Sequence, residues 1–374
     1  MSNLQKQLFK RGGRGAGLAR PPRLPGSIAE DDSVEEEGSD QFDALLNAVQ
    51  EGRDVPDQGS PWAPVHWQDD LDGDGPFFQW SKDLEIPERK ATFRCYGSGD
   101  QGPLYVFHHG AGHCALSFGC LSKAMMKRGS CRTLAYDCRR HADTTEANGE
   151  EQDLTLDVLG EDLVAIIQTL YPASASSPSP PILLVGHSMG AAIVTHVSSQ
   201  SMLANIQGLI IIDVVEGTAL SSLKFMSGII DSRPKAFPSI SHAIQFMIQD
   251  GGVHGDGSSA QLSTPPLLTN LSNHRLGWKT DLAATVPFWS EWFTGLSSKF
   301  LSCPTSKLLV LAGEDRLDKE MMVGQMQGKF QLEIFPESGH FIQEQCPEKL
   351  ADLLCRFWSR QQAILPSNLP RPRK

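Results

Sequence analysis

Short runs of apolar residues recur along the chain from residue 104, and polar stretches separate them. Each run is apolar at consecutive positions, which is typical of strands that helices cover on both faces. The main runs are LYVFHH (104–109), RTLAY (132–136), ILLVG (182–186), LIIID (209–213) and KLLVLA (307–312), and QLEIF (331–335) alternates more. Ahead of them, DLEI and ATFRCY predict a first strand pair. The pattern predicts a mostly parallel sheet.

Helical spacing appears between several of these runs. From Leu156 to Leu170 the apolar residues recur every three or four positions, with Asp153 as a suitable N-cap. A last helix is predicted from Pro347, because proline favours the first turn of a helix. Strands that alternate with flanking helices predict a doubly wound α/β fold.

The segment between LIIID and KLLVLA is too long to be a simple connection. It contains the helical stretch HAIQFMI and the aromatic stretch VPFWSEWF, and it predicts a helical cap over residues 216–300. Within it, residues 250–273 have the composition of a flexible loop. The aromatic residues have two interpretations: they line a substrate surface, or they pack the cap onto the sheet.

Composition adds a second region to this picture. Residues 1–60 begin basic and rich in Gly and Pro, continue as AEDDSVEEEGSD, and have too few apolar residues to offset the entropy of ordering. We therefore expect a disordered N-terminal tail over residues 1–60 and one folded domain over residues 61–374.

Charge and cysteine usage limit the classes of function. The net charge of −11 argues against nucleic-acid binding, because phosphates would be repelled. The eight cysteines form no C-x-x-C pair, no secretory signal precedes the domain, and no apolar run approaches the ~20 residues that span a bilayer. We expect a soluble protein that is neither secreted nor membrane-bound, located in the cytoplasm, with the nucleus as a further location.

The most informative motif is Gly186-His187-Ser188-Met189-Gly190, which matches G-x-S-x-G. A predicted strand precedes it and a predicted helix follows it. In this context the serine hydroxyl projects from a tight turn at the helix N-terminus, which is the nucleophile position of the α/β-hydrolase fold. The sequence therefore predicts Ser188 as the nucleophile of a hydrolase.

A serine nucleophile needs a general base, and the base needs an acid to orient it. His340 follows the last predicted strand, which places it at the same sheet edge as Ser188. Two aspartates end suitable strands, Asp213 after LIIID and Asp315 after KLLVLA. Most proteins of this fold carry the acid after the later strand, which favours Asp315, but either residue could reach the histidine.

The oxyanion hole needs two backbone N–H groups. One is predicted at Met189, the residue after the nucleophile. The other is predicted in the stretch His109-Gly110-Ala111-Gly112 after the strand LYVFHH, at Ala111 in the first place and at Gly112 in the second.

Over residues 64–360 the chain resembles a specific family, the protein phosphatase methylesterases, which act on protein phosphatase 2A. The resemblance is densest in HGAGHCALSF, ILLVGHSMGAAIVTH, IIDVVEGTAL, RPKAF, WFTGLSSKFLSCP, LLVLAGEDRLDKEMMVGQMQGKFQ and SGH. It differs in HGAG where the family has HGGG. It also differs at residues 137–142, where Ala142 replaces a glycine and indicates an altered surface loop. The long acidic insertion of some members is replaced by the shorter loop at residues 250–273.

The resemblance implies an activity and a set of site residues. It places the triad acid in the DVVEGTA motif, hence at Asp213, with Ser188 and His340 as the other members. It implies removal of the methyl ester from the C-terminal leucine of the protein phosphatase 2A catalytic subunit, which is then both substrate and partner, with no cofactor or metal. The alternatives are a general small-molecule esterase of the same fold, and a phosphatase-binding inhibitor whose binding matters more than its catalysis.

Overall fold

The computed structural model describes residues 62–70, 72–147, 153–173, 179–253, 257–272, 275–313 and 317–364. The tail predicted at residues 1–60 lies outside these ranges. The strands are β1 (Trp80–Ile86), β2 (Ala91–Ser98), β3 (Leu104–His108), β4 (Arg132–Tyr136), β5 (Thr145–Glu146), β6 (Ile182–His187), β7 (Ile206–Ile212), β8 (Leu268–Asn270), β9 (Leu276–Trp278), β10 (Ser306–Leu311) and β11 (Gln331–Ile334).

Helices connect most of the strands. They are α1 (Gly119–Met126), α2 (Leu156–Leu170), α3 (Met189–Ser199), α4 (Glu216–Ser232), α5 (Ile240–Gln249), α6 (Ser258–Ser263), α7 (Trp289–Phe293), α8 (Leu296–Ser302), α9 (Lys319–Met326), α10 (Ile342–Gln345) and α11 (Pro347–Ile364). Short 3-10 turns lie at Pro87–Arg89, Ala115–Phe118, Pro265–Leu267 and Ala283–Phe288. Within the described ranges, no helix combines the length and the apolar character needed to cross a bilayer.

One large sheet organises the domain, with strand order β1-β2-β4-β3-β6-β7-β10-β11. β1 and β2 pair antiparallel, as do β2 and β4, and every pair from β4 to β11 is parallel. The predicted mostly parallel sheet is confirmed. Because parallel strands place their carboxyl ends at one edge, the residues after β3, β6, β7 and β10 lie close together.

Two hydrophobic clusters cover the two faces of this sheet. Val185 of β6 and Ile212 of β7 belong to one cluster, whereas their neighbours Leu184 and Ile211 belong to the other. Successive side chains of a strand point to opposite faces, so a strand buried on both sides must be apolar at every position. This requirement explains the continuous apolar runs in the sequence.

The segment between β7 and β10 differs from its prediction. Residues 250–273 were expected to form a loop, but residues 257–272 contain α6, a 3-10 turn and β8, which pairs antiparallel with β9. The cause is burial, since Ala260 and Leu262 are 0% exposed. The Leu262 side chain packs so closely on Gly119 that a Cβ there would lie 2.3 Å from it.

The aromatic stretch packs into the hydrophobic cluster on one face of the sheet, where α7 contacts helices α3 and α4. Trp289, Trp292 and Phe293 are buried in the cluster that contains Ile211. Trp292 Nε1 donates to the carbonyl oxygen of Leu154 at 2.7 Å. Of the two interpretations of these aromatics, the packing interpretation holds for this stretch.

Helix α2 begins at a different cap from the one predicted. Its N-cap is Thr155, and Asp153 Oδ1 instead accepts a hydrogen bond from Thr155 N at 2.9 Å. A short acidic side chain that bonds the backbone two residues later forms a turn before the helix rather than a cap.

Candidate active site

Ser188 occupies a sharp turn between strand β6 and helix α3. The strand ends at His187 and the helix begins at Met189, so a single residue connects them. Ser188 has φ 53° and ψ −117°, which residues with a Cβ rarely adopt. The surrounding packing must hold this conformation, as is common for a residue that performs chemistry.

Two glycines make the turn sterically possible. A Cβ added at Gly186 would lie 2.4 Å from the carbonyl oxygen of Gly190, and a Cβ added at Gly190 would lie 2.2 Å from that of His108. Both distances are far inside van der Waals contact. The G-x-S-x-G pattern therefore reflects the direct packing of helix α3 onto strands β6 and β3.

Asp213 stands at the end of the neighbouring strand β7 and contacts His340. His340 Nδ1 donates to Asp213 Oδ2 at 2.7 Å, and the other carboxylate oxygen accepts from Ala312 N at 2.9 Å. The backbone N–H of Asp213, which has φ 53°, donates to Val310 O of strand β10 at 2.7 Å. The carboxylate is 0% exposed and the imidazole 38%. A buried carboxylate thus orients a partly open histidine.

Ser188 is half-buried, and no hydrogen bond of its Oγ is found within the described ranges. Its neighbour His187 instead connects the turn of Ser188 to the loop that carries His340, because His187 Nε2 lies 2.9 Å from the carbonyl oxygen of His340. Burial lowers the pKa of His187 well below its usual value, so the ring is neutral and Nε2 is the protonated donor. Our sequence reasoning missed this residue, since the motif allows any residue before the serine.

The loop after β3 lies against the nucleophile. A Cβ added at Gly110 would lie 3.0 Å from His187 Nδ1 and 3.2 Å from Ser188 Cβ. Among the residues that the structure describes, the backbone N–H groups of Ala111 and Met189 donate to no protein group. Two unused donors beside the serine match the requirement for an oxyanion hole.

A layer of buried polar side chains supports this loop. Burial lowers the pKa of His108 and His141 to about 4 and that of His113 to about 3, and it lowers the pKa of His109 well below its usual value. His109 Nε2 accepts from the backbone N–H of Cys138 at 2.9 Å. These rings are neutral at neutral pH and act as fixed hydrogen-bonding groups.

The stretch at residues 137–142 is part of this layer and not a surface loop, so that expectation was wrong. Asp137, Arg139 and His141 are at most 5% exposed. Asp137 Oδ1 accepts from Ala115 N at 2.7 Å, which ties the stretch to the turn after the HGAG loop. Ala142 has φ 45°, a conformation that glycine would adopt at lower cost.

The geometry can support nucleophilic attack on an acyl group. At one edge of the sheet lie a serine in a strained turn, a histidine oriented by a buried carboxylate, and two backbone N–H groups that bond no acceptor among the described residues. Asp315, the alternative acid, lies outside the described residues. In the part of the chain that is described, no three His, Cys, Asp or Glu side chains are grouped as metal ligands.

Comparison with known proteins first defines the class. A family model described as "Alpha/beta hydrolase family" matches residues 105–353. The solved structure of a thioesterase domain from the curacin biosynthetic pathway superposes with a TM-score of 0.57 at 17% identity, covering 74% of this chain and 99% of that one. An E-2-(acetamidomethylene)succinate hydrolase gives a TM-score of 0.58 at 17% identity, covering 75% and 98%. These likenesses establish the α/β-hydrolase fold.

Curated relatives define the family more narrowly. Protein phosphatase methylesterase 1 of Bos taurus is 33% identical over 93% of this chain and 95% of its own length. The protein of that name from Schizosaccharomyces pombe is 41% identical over 71% and 76%. The chain belongs to the protein phosphatase methylesterase family and is an ester hydrolase.

Proposed function

We propose that this esterase removes the methyl ester from the C-terminal leucine of the protein phosphatase 2A catalytic subunit. The observation that carries the proposal is the 2.7 Å bond between Asp213 and His340 beside the turn that presents Ser188, in a chain of this family. The relatives carry the name protein phosphatase methylesterase, and a serine, a histidine and an aspartate are the groups that hydrolysis of such an ester requires.

The reaction proceeds in two acyl-transfer steps. His340 Nε2 takes the proton of Ser188 Oγ, which attacks the ester carbonyl and forms a tetrahedral oxyanion. The N–H groups of Ala111 and Met189 bind that oxygen. Methanol leaves with the proton from His340. A water molecule, activated by the same histidine, then releases the free carboxylate and restores Ser188.

Asp213 acts through the histidine. Its Oδ2 accepts the Nδ1 proton, so the lone pair on Nε2 faces the serine, and its negative charge stabilises the imidazolium that forms. The hydrogen bond from Ala312 N to Oδ1 holds the carboxylate in place. A backbone donor directly after the neighbouring strand β10 and the histidine ring on the other oxygen leave the carboxylate little freedom to turn away.

Recognition must extend beyond the reacting group. A methyl ester offers little surface, and one methylene in a pocket contributes only ~1–3 kcal/mol of discrimination. The remaining selectivity is assigned to contacts between the phosphatase and the cap, residues 216–300 of the hydrolase domain 61–374. All eight cysteines are free, which suits a reducing location such as the cytoplasm or nucleus that the phosphatase would share.

The direct test incubates the chain with methylated phosphatase and measures loss of the methyl group from the C-terminal leucine. Wild type should demethylate it, and Ser188→Ala should lose about 10⁶-fold in kcat while remaining folded. A short peptide that ends in leucine methyl ester should be poorer in kcat/KM by several orders of magnitude. Near-equal values would favour the general esterase, and phosphatase binding without turnover would favour the inhibitor.

A further inference from the structure

Arg233, directly after helix α4 of the cap, carries a guanidinium held in a fixed plane. Its Cζ lies 3.9 Å from the centroid of the Trp278 ring. That indole is itself fixed, because its Nε1 donates to Pro234 O at 2.8 Å and Phe237 packs edge-on against it at 5.2 Å. A guanidinium stacked on an aromatic face directs its N–H donors outward from its edges.

These donors have no partner in the described part of the chain. Among the residues that the structure describes, no side chain or backbone acceptor bonds the Arg233 guanidinium, and no carboxylate lies within ion-pair distance of it. The side chain is half-buried, and burial lowers the pKa of Arg233 to about 10. An enclosed cation without a counter-charge is costly, so its retention in the fold calls for a ligand.

Other enclosed arginines of this chain differ in this respect. Arg89 and Arg139 share the buried carboxylate of Asp162, at 2.7 Å and 2.8 Å. Arg139 also stacks near an aromatic ring, that of Phe93 at 5.9 Å, and still has its carboxylate. Stacking on an aromatic ring therefore does not replace a hydrogen-bond acceptor, and Arg233 lacks such an acceptor among the described residues.

The guanidinium lies near the candidate active site. Lys279, the residue after Trp278, forms an ion pair with Asp143, whose backbone N–H donates to Asp137 in the layer that supports the loop after β3. After burial, Arg233 and then His340 are the next causes that lower the pKa of His113 to about 3. His113 packs on the ring of Phe341, the residue after the candidate base, with 4.6 Å between centroids. Arg233 and His340 thus both lie within electrostatic reach of one buried ring.

We propose that Arg233 binds a carboxylate carried by the acyl half of the substrate or of its hydrolysis product. This inference rests on the proposed function, because it assumes a peptide that ends in a methyl ester. A planar fork of donors matches a carboxylate with two parallel hydrogen bonds. The carboxylate has two possible sources: an acidic side chain upstream of the ester, or the terminal carboxylate that hydrolysis frees.

The first arm of the test compares peptide methyl esters that end in leucine and carry either Asp or Asn at one upstream position, scanned along the peptide. If an acidic side chain is the ligand, wild type should prefer the Asp peptide by about 10- to 100-fold in kcat/KM at one position. Arg233→Gln should abolish that ratio, mainly through KM, and Arg233→Lys should restore only part of it. Lys235→Gln removes an exposed charge two residues away and should keep the wild-type ratio.

The second arm measures inhibition by the free-acid peptide and by its C-terminal amide. If the freed carboxylate is the ligand, the acid should inhibit wild type more strongly than the amide, and Arg233→Gln should weaken inhibition by the acid alone by about 10- to 100-fold. The inference is overturned if Arg233→Gln changes neither the Asp/Asn ratio nor the acid/amide ratio, or if Lys235→Gln changes them equally. If wild type cleaves neither peptide esters nor methylated phosphatase, the proposed function itself fails.

Discussion

Acidification should destabilise the protein through five buried histidines. His108, His109, His113, His141 and His187 are each at most 4% exposed, and burial lowers the pKa of every one. An unfolded histidine has a pKa near 6.5. Because the folded state keeps these rings neutral, their contribution to stability is present above pH 6.5 and is lost as the pH falls below it.

The magnitude follows from the difference in protons bound. At pH 5.5, protonation of each histidine stabilises the unfolded state by about 1.4 kcal/mol. Relative to pH 7, the five histidines together therefore lower the free energy of unfolding by about 6 kcal/mol. Two carboxyl groups oppose this loss. Burial raises the pKa of Asp137 and of Glu344 to about 7, so the stability that their protonated forms contribute is lost as the pH rises through 7. Acidification from pH 7 to pH 5.5 therefore raises the free energy of unfolding by about 3 kcal/mol through these two groups. The expected net loss is about 3 kcal/mol, a large part of the roughly 5–15 kcal/mol that stabilises a domain.

Chemical denaturation at pH 7 and pH 5.5 measures this difference, with the dependence on denaturant checked for constancy. His141→Asn tests the contribution of a single histidine to this loss of stability. The amide nitrogen of asparagine can replace the ring Nδ1, which lies 2.8 Å from the carbonyl oxygen of Arg139. The variant should reduce the loss on acidification by about 1 kcal/mol. The exposed His66→Asn should leave it unchanged. Stability that stays level or rises between pH 7 and pH 5.5 would refute the reasoning.

Three further predictions concern the site and the cap. Asp213→Asn should lower kcat by up to ~10⁴-fold. Asp157→Asn alters a pair elsewhere, between an exposed aspartate and the buried His196, and should leave kcat within about twofold; equal effects would contradict the role of Asp213. Gly190→Ala should lower both Tm and activity, because its Cβ would lie 2.2 Å from the carbonyl oxygen of His108. Gly228→Ala, in helix α4 with open space around it, should raise stability by about 0.5–1 kcal/mol. Thermal melts in which both variants shift Tm in the same direction would contradict the packing argument. Deleting residues 257–272 should destabilise the domain by several kcal/mol, since each buried leucine contributes about 1.5–3 kcal/mol, and an unchanged Tm would show that the segment packs weakly.

The sequence alone determined the parts of this protein that depend on local chemistry. A strand buried on both faces must be apolar at each position, so β3, β6, β7 and β10 were visible as continuous runs. A strand-to-helix turn that presents a serine needs glycine on both sides, so Ser188 could be proposed from five residues. The order of these elements was enough to place His340 near the same sheet edge.

Tertiary structure decided what depends on residues far apart in the chain. Spacing left Asp213 and Asp315 as alternatives, and only the folded geometry joins Asp213 to His340 across 127 positions. Composition made residues 250–273 look like a loop, because the surface that buries Leu262 is helix α1, far earlier in the chain. In the same way the isolated guanidinium of Arg233 and the neutral histidines under the site have no signature in sequence. The charge states of these histidines follow mainly from burial, and only the assembled fold sets this condition.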